Sequence, residues 1–269
     1  MKPLVLILRA APAQRLDLSK LTPDRLLGKS VKEIEAIDLA TTKAEAKVGD
    51  VFKVRAGDPH ELRFEGGSAR FDFLGAKLLP GYSIHIEGDV GLGLGRKAQG
   101  GAITVSGDAG AYVASGITAG RIEIDGDAGD FLCAPFAGEL AGMAGGRLIV
   151  RGSVGQRAGD RLRRGIIVIE GDAGADLGSR AIAGTIVLLG EAAGRLGYLN
   201  KRASLVLAQR RDFGPTYVDC GAHHLAFAKL FARALNEDSR RAARLLAQRL
   251  QRYAGDTAVY GKGEILTPA

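Results

Sequence analysis

The central part of the chain repeats with a period of 19 residues. A short motif recurs along it, Gly-Asp or Gly-Ser followed by Val or Ala and Gly, with Gly-Glu-Ala-Ala-Gly as its last copy. Successive copies start 19, 19, 26, 19 and 19 residues apart, so the long interval is one period plus a seven-residue insertion within 131–143. A fixed short period predicts a stack of similar structural units. The first glycines of the copies, called here the leading glycines, are Gly88, Gly107, Gly126, Gly152, Gly171 and Gly190.

Each leading glycine follows a short segment in which aliphatic residues alternate with others. Alternation with a period of two predicts a β-strand with one buried face. Two positions in every repeat are large and aliphatic, and both columns continue at Leu205 and Leu207. The two columns are Ile84, Ile103, Ile122, Leu148, Ile167 and Ile186, and Ile86, Val105, Ile124, Val150, Ile169 and Leu188.

The length of the repeat restricts the fold. Nineteen residues are too few for a strand, a helix and a return connection, but they suit one coil of a parallel β-helix, with equivalent residues about 4.8 Å apart. Left-handed β-helices carry an apolar signature about every six residues, which does not occur here. Aromatic residues make up only 6% of the chain, which suits a narrow core. The predicted fold is mainly β: a right-handed parallel β-helix with 19-residue coils and glycines at the corners.

The segments outside the repeats are predicted to cover the two open ends of this β-helix, because terminal repeats need caps. The predicted division is 1–60 for a small N-terminal α+β cap, 61–208 for the β-helix and 209–269 for C-terminal α-helices packed on it.

Local signals predict several elements inside these caps. Residues 223–235 and 237–253 look helical, the second with an apolar stripe at three- and four-residue spacing. Thr22 followed by proline is a helix start. Ser30–Leu39 fits two structures, a helix with a capping box or an alternating strand, and both stay open.

Residues that could carry chemistry are few, and no catalytic residue is assigned. Cys133 has no nearby histidine or cation in the sequence to activate its thiol. His223 and His224 have no second ligand at zinc spacing, so no metal site is predicted. The acidic residue after each leading glycine forms a column, which we expect to accept backbone hydrogen bonds rather than bind cations.

One column on the outer face changes character along the stack. It lies three residues before each leading glycine and reads His85, Thr104 and Glu123 in the early repeats. In the later repeats it is aliphatic, and an apolar row of this kind should be covered, either by the C-terminal helices or by another subunit. The candidates for a partner interface are Ile149, Val168, Val187 and Val206.

A second outer column is basic. It lies nine residues after the leading glycine, although several repeats have no cation there. Stacked like charges repel unless an anion or solvent separates them, so the column is a candidate anion site, with a solvated edge as the alternative. The net charge of +7 fits either solubility or an acidic partner. The candidates for polyanion binding, called here the basic strip, are Arg96, Lys97, Arg161, Arg163, Arg164 and Arg180.

Other kinds of partner find little support in the sequence. Basic patches interleaved with aromatic residues, which single-strand binders use, are missing, so no nucleic-acid partner is predicted. The apolar run 3–8 is too short for a membrane span or for the core of a signal peptide. We therefore expect no membrane association and a cytoplasmic location.

The repeat resembles a known family. Its strand followed by Gly-Asp-x-Gly is similar to the Gly-x-Gly-x-Gly β-helix of glutamate synthase C-terminal domains. The chain more closely resembles the C (gamma) subunit of formylmethanofuran dehydrogenase and of its bacterial relative, the formyltransferase/hydrolase complex. Val48–Val54 before the repeats and the ending from Tyr253 to Leu266 add to this resemblance.

The resemblance implies a non-catalytic scaffold subunit in one-carbon metabolism. Its implied partners are an amidohydrolase-type subunit, a formylmethanofuran dehydrogenase B-like subunit and a formyltransferase subunit. The bacterial complex moves a formyl group from formyl-tetrahydromethanopterin, through a methanofuran-type carrier, to formate. No covalently bound cofactor is implied, but the polyglutamate tail of the carrier is a polyanion that the basic strip could contact.

Three other functions stay open. The chain could be the C (gamma) subunit of a tungsten- or molybdenum-dependent formylmethanofuran dehydrogenase, although its Ala- and Arg-rich composition favours the bacterial complex. It could also be a spacer of the glutamate synthase type. A β-helix enzyme acting on polysaccharide or acyl groups would need clustered acids or a histidine on one exposed face.

Overall fold

The computed structural model describes residues 2–41 and 43–269. Within them the chain is mainly β, with a 13-stranded, mostly parallel sheet and a second sheet of four short strands. The strands are β1 (Pro3–Leu8), β2 (Leu16–Asp17), β3 (Asp38–Thr41), β4 (Ala46–Lys47), β5 (Phe52–Arg55), β6 (Asp58–Glu65), β7 (Phe71–Asp72), β8 (Ser83–Glu87), β9 (Gln99–Val105), β10 (Ala119–Ile124), β11 (Ala144–Val150), β12 (Arg164–Ile169), β13 (Thr185–Leu188), β14 (Ser204–Leu207), β15 (Val218–His223), β16 (Leu250–Gly255) and β17 (Gly263–Pro268). The helices are α1 (Pro23–Leu26), α2 (Val31–Glu35), α3 (Val48–Val51), α4 (Ala226–Leu235) and α5 (Arg240–Leu246).

The register of the large sheet follows the period of the sequence. Strands β8 to β14 pair in parallel in chain order, and Ile84 lies opposite Ile103, 19 residues further on. The insertion leaves this register intact, because Ile122 of β10 pairs with Leu148 of β11 across the longer interval. Both aliphatic columns are buried, with no member more than 3% exposed. Side chains of one column therefore stack on each other to form the core.

Each repeat also contributes a second extended contact, just after its leading glycine. Parallel bridges run from repeat to repeat through small residues, all of them buried except the half-buried Ala192. Small side chains suit this position because the chain turns there and leaves little room between repeats. The bridges are Val90↔Ala109, Ala109↔Ala128, Ala128↔Val154, Val154↔Ala173 and Ala173↔Ala192.

The corner that follows has an alternating backbone. Gly93, Gly95 and Lys97 have φ values of 71°, 63° and 56°, in the left-handed region. The N–H groups of Gly93 and Lys97 donate to carbonyls in the following repeat, both at 2.9 Å, whereas Gly95 donates to the preceding repeat at 2.8 Å. The corner is thus hydrogen-bonded in both directions along the stack, and every second residue in it must tolerate a positive φ.

The N-terminal strand extends the stack. β1 pairs in parallel with β6, which pairs in parallel with β8, and β5 closes this end antiparallel to β1. The rings of Phe52, Phe64 and Phe71 fill the core there, with centroids 5.7 and 5.4 Å apart. α1 begins directly after Thr22 as predicted, but the Thr22 hydroxyl, expected to cap the helix, makes no capping hydrogen bond. Of the two possibilities for Ser30–Leu39, the helix with a capping box forms as α2. The alternating strand over 34–39 does not form, because Ile34 lies in α2 and β3 begins only at Asp38.

The C-terminal end differs from the sequence prediction. The helix predicted over 237–253 is wrong in its second half: α5 ends at Leu246, and Leu250–Gly255 is a strand that pairs antiparallel with β17. β17 itself pairs in parallel with β14, so that Ile265 lies opposite Leu205 and adds one more layer to the buried column. The other helix is shorter than predicted, because His223 ends β15 and α4 begins at Ala226.

None of the helices in the described part of the chain has both the length and the apolar character needed to cross a bilayer.

Candidate functional site

The apolar outer row is covered by the chain's own C-terminal helices. Its four members, the partner-interface candidates of the sequence, are at most 1% exposed. They form a second apolar cluster with residues of α4, α5, β16 and β17. The prediction that they contact a partner is therefore wrong in this fold, because intramolecular packing already buries them. The row is Ile149, Val168, Val187 and Val206, and the helix residues over it include Ala228, Leu235, Ala242, Leu245 and Leu246.

Ionic contacts also hold α4 and α5 on this face of the sheet. Asp238, in the connection between α4 and α5, is only 3% exposed. It accepts from Nη1 of Arg121 at 2.9 Å and from Nη1 of Arg147 at 2.8 Å. At the start of α5, the Ser239 hydroxyl donates to Glu170 on the sheet. The helix pair is thus fixed by packing in its centre and by ionic contacts at its edge.

The basic strip is built on the corners of the repeats. Lys97, Arg161 and Arg180 have φ values of 56°, 52° and 55°. Left-handed backbone is unfavourable for side chains of this kind, and glycine is the default there. The N–H of Arg161 donates at 2.9 Å to Ser179, directly before Arg180, so these two cations occupy neighbouring repeats. Lys97 lies three repeats before Arg161 in the stack.

The insertion crosses the strip and connects its separated parts. Glu139, within 131–143, lies 2.7 Å from Arg96 Nη2 and 2.7 Å from Lys97 Nζ. Its backbone carbonyl accepts from Arg161 Nη1 at 3.4 Å. Sequence reasoning did not include Glu139, although an acid inside the one insertion was a usable signal. The strip is therefore partly neutralised by its own chain.

An aromatic contact holds the insertion in place. The Phe136 ring lies 4.5 Å from the ring of Tyr112 and 6.2 Å from that of Phe73, between centroids. The Arg96 guanidinium carbon lies 4.3 Å from the Phe136 centroid, a cation–π geometry. The packing of the Phe136 ring, three residues before Glu139, therefore helps to fix the position of Glu139 in addition to its ion pairs.

The remaining strip residues divide into paired and unpaired cations. Arg180 forms an ion pair with Asp160, which is 4% exposed and also contacts Arg157 at 3.1 Å. Arg163 and Arg164 are exposed and form no salt bridge within residues 2–41 and 43–269. Three of the six candidates are thus ion-paired, whereas Arg161, Arg163 and Arg164 form no salt bridge in the described part of the chain.

A cavity of about 250 Å³ lies at one end of the strip. Arg25 and Lys77 line it together with Arg96 and Lys97, and Asp17 is the one acid among the lining residues. Four cations around one small cavity favour an anionic ligand. Arg25 and Lys77 lie outside the sequence prediction. α1 brings Arg25 to this place only through the tertiary fold, and Lys77 precedes β8, before the first leading glycine.

We expect the insertion to loosen at acid pH. Burial acts to raise the pKa of Glu139, but hydrogen bonds from Lys97 and from the Phe136 N–H and the two cationic charges outweigh it, so its pKa lies below the ordinary 4.5. An acid with a lowered folded-state pKa contributes stability above its ordinary pKa and loses it as the pH falls through the folded value. Hydrogen exchange in 134–143, corrected for the intrinsic rate, should therefore accelerate below about pH 4.5. Glu139→Gln should show the accelerated exchange already at pH 7, and equal protection in both proteins at pH 7 would contradict this.

The acidic column binds backbone, as predicted. Oδ1 of Asp89 accepts from the N–H of Asp108 at 2.9 Å, and Asp108 and Asp172 repeat this contact with the following repeat. Each of these three carboxylates therefore links its own repeat to the following repeat by a hydrogen bond. Within the described residues, no group of three or more His, Cys, Asp or Glu side chains is arranged to hold a metal ion.

The two thiols should differ strongly in reactivity. Cys133 is buried in the core, and burial raises its pKa, whereas Cys220 is exposed on β15. Because the thiolate is the reactive species, we expect a disulfide reagent such as DTNB to titrate one thiol in the native protein and two after denaturation. Cys133 should react at least about a thousandfold more slowly, through unfolding. Fast reaction of two thiols in the native protein would show that the core around Cys133 opens readily.

Comparison with known proteins agrees with this architecture over nearly the whole chain. No model of a known protein family matches. The C subunit of the formyltransferase/hydrolase complex Fhc of Methylorubrum extorquens is 42% identical over 262 residues, which are 97% of this chain and 98% of the relative. A chain in the crystal structure of the complex FhcABCD from Methylorubrum extorquens with methylofuran superimposes with a TM-score of 0.92 and 41% identity, covering 98% of this chain and 99% of that one. The protein therefore belongs to the family of the C subunits of formyltransferase/hydrolase complexes.

Proposed function

We propose that this chain is a non-catalytic scaffold subunit of a formyltransferase/hydrolase complex in one-carbon metabolism. The observation that carries the proposal is the match, over 98% of the chain, to a chain in the structure of such a complex. The large apolar row of the sheet is already used for internal packing.

We infer that the sheet is wound as a right-handed parallel β-helix with 19-residue coils, of the Gly-x-Gly-x-Gly type found in glutamate synthase C-terminal domains and in the C (gamma) subunit of formylmethanofuran dehydrogenase. The parallel register at 19-residue intervals supports this. The second row of bridges and the alternating left-handed corner in each repeat support it as well. Residues 1–60, 61–208 and 209–269 then serve as cap, β-helix and C-terminal cover.

In this proposal the scaffold holds an amidohydrolase-type subunit, a formylmethanofuran dehydrogenase B-like subunit and a formyltransferase subunit. Together they transfer a formyl group from formyl-tetrahydromethanopterin, through a methanofuran-type carrier, to formate in the cytoplasm. The relative's complex was crystallised with methylofuran, a carrier of this type. A long rigid stack suits this role, since its rigid repeats fix the distance between docked subunits.

Purification from the native host under gentle conditions tests the proposal. An affinity tag on this chain should recover an amidohydrolase-type and a formyltransferase subunit in fixed ratio, without tungsten or molybdopterin. Recovery of those metals or of molybdopterin would instead indicate the dehydrogenase complex. Recovery of the chain alone, at protein concentrations where the relative's complex is intact, would contradict the scaffold function.

We further propose that the basic strip contacts the polyglutamate tail of the carrier. The strip combines unpaired cations at Arg161, Arg163 and Arg164 with a cavity lined by four more cations. Exposed ion pairs contribute about 0.2–1 kcal/mol each, so the three arginines together should change affinity roughly tenfold.

Carrier affinity in the whole complex tests this second proposal. Replacing Arg161, Arg163 and Arg164 by alanine should weaken binding of the polyglutamylated carrier roughly tenfold and leave a tail-trimmed carrier unaffected. Glu139→Gln should strengthen binding a few-fold, since it frees Arg96 and Lys97. A control with three exposed N-terminal lysines changed to alanine should behave as wild type. An unchanged affinity of the triple variant for the polyglutamylated carrier would leave the strip as a solvated edge.

A further inference from the structure

The outer side of the C-terminal helix pair carries cations without acidic partners. α4 and α5 expose Lys229, Arg233, Arg240, Arg241 and Arg244. Arg241 lies 3.8 Å from Glu170, and the other four form no salt bridge within residues 2–41 and 43–269. On the inner side, by contrast, the charges around Asp238 are all paired. The two sides of the same helices thus differ in whether their charges are compensated.

A groove runs between the two helices on this outer side. It has a volume of about 570 Å³ and is open to solvent. Lys229, Arg233 and Arg244 line it, and its other lining residues include three alanines: Ala232, Ala243 and Ala247. No acidic residue lines the groove. Small side chains leave room for an inserted segment, and cations on both helices face whatever enters.

Two large apolar side chains of α4 are exposed but do not line the groove. Phe227 is 46% exposed and Leu230 is 66% exposed. They lie three residues apart on α4 and therefore share one side of the helix, which is not the side of the groove-lining Lys229 and Arg233.

We propose that this groove docks an acidic segment of a partner subunit. Charge complementarity supports this occupant, since three cations that form no salt bridge among the described residues line a groove without a lining acid. The proposal rests on the proposed scaffold function and names the surface through which one partner is held. It also gives the C-terminal helices a second role beyond covering the apolar row.

Zero-length crosslinking of the purified complex provides a direct test. A carbodiimide joins carboxylates to amines in contact, so Lys229 should form an amide with an aspartate or glutamate of a partner subunit, detected by mass spectrometry. A crosslink from Lys229 only to a second copy of this chain would overturn the proposal. So would no crosslink at Lys229 in a complex that is intact and crosslinked elsewhere.

Charge reversal gives an independent test with a matched control. Lys229→Glu, Arg233→Glu and Arg244→Glu combined should weaken association with the other subunits roughly a hundredfold, because like charges then meet across the interface. Lys29→Glu, Lys32→Glu and Lys53→Glu make the same change in net charge at exposed positions of the N-terminal region. This control should assemble as wild type. All six positions are exposed, so both variants should fold.

The outcomes separate this inference from the proposed function. If the wild-type chain does not associate with the other subunits, the scaffold function itself fails. If the wild type associates and the groove variant associates equally well, only the docking surface is wrong. Equal weakening of groove and control variants would show a general effect of charge and would also overturn the surface.

Discussion

Replacing Val187 by aspartate is expected to release the C-terminal helices from the sheet and to cost about 4 kcal/mol or more of stability. Val187 has no exposed surface and lies in the apolar cluster beneath α4 and α5. A carboxylate there must either be buried without a partner or take up a proton, and both are unfavourable. Urea denaturation should show the loss, and hydrogen exchange should rise in 226–246.

The same column offers the control. Thr104 occupies the equivalent position four repeats earlier, where the side chain is half-exposed. Thr104→Asp should cost less than about 1 kcal/mol, including repulsion from Glu123 on the neighbouring strand. Similar losses of stability in the two variants would mean that α4 and α5 do not exclude water from the apolar row.

Gly126→Ala is expected to destabilise the stack by about 3 kcal/mol or more, the upper range for overpacking. A Cβ at this leading glycine would lie 2.2 Å from Oδ1 of Asp108 and 2.7 Å from the carbonyl oxygen of Gly107. The second contact is backbone of the preceding repeat, so relief requires the repeats to separate. Thermal and urea unfolding of the purified chain measure the effect.

Gly138→Ala separates crowding between repeats from the general cost of replacing glycine. Gly138 has a φ of +85° in the insertion, and a Cβ there would meet no atom within 4 Å. Its replacement should cost only about 1–2 kcal/mol, from backbone conformation alone. Should Gly126→Ala prove as mild as Gly138→Ala, the repeats would be less tightly packed than their contacts indicate.

Local signals accounted for the repeats but not for the C-terminal cap. The apolar stripe through Leu246 and Leu250 fits a continuing helix, and the chain nevertheless turns into a strand at Leu250. The reason is non-local, since Leu250–Gly255 finds hydrogen-bond partners in Gly263–Pro268, which itself pairs with β14. The sequence of one strand does not indicate with which other strand it will pair. Here pairing with Gly263–Pro268 outweighs the helix propensity of Leu250–Gly255.

In the candidate sites, too, some features could be predicted from the sequence and others depend on the tertiary structure. The basic column could be read from spacing, but its neutralisation by Glu139 depends on an insertion folding back over Arg96 and Lys97. The apolar row could also be read, but the choice between an intramolecular and an intermolecular cover could not. The groove between α4 and α5 had no sequence signal, because it exists only once both helices pack on the sheet.

By itself the sequence determined the period, the strands of the repeats, the two buried columns and the glycine corners. These follow from alternation and from steric rules that act within one repeat or between identical neighbours. The tertiary structure alone decided what closes the ends, what covers the outer row and which cations stay unpaired. Those outcomes depend on contacts between segments tens of residues apart, such as Leu205 with Ile265 and Arg121 with Asp238. Their energies arise only when the chain has folded and excluded water from between them.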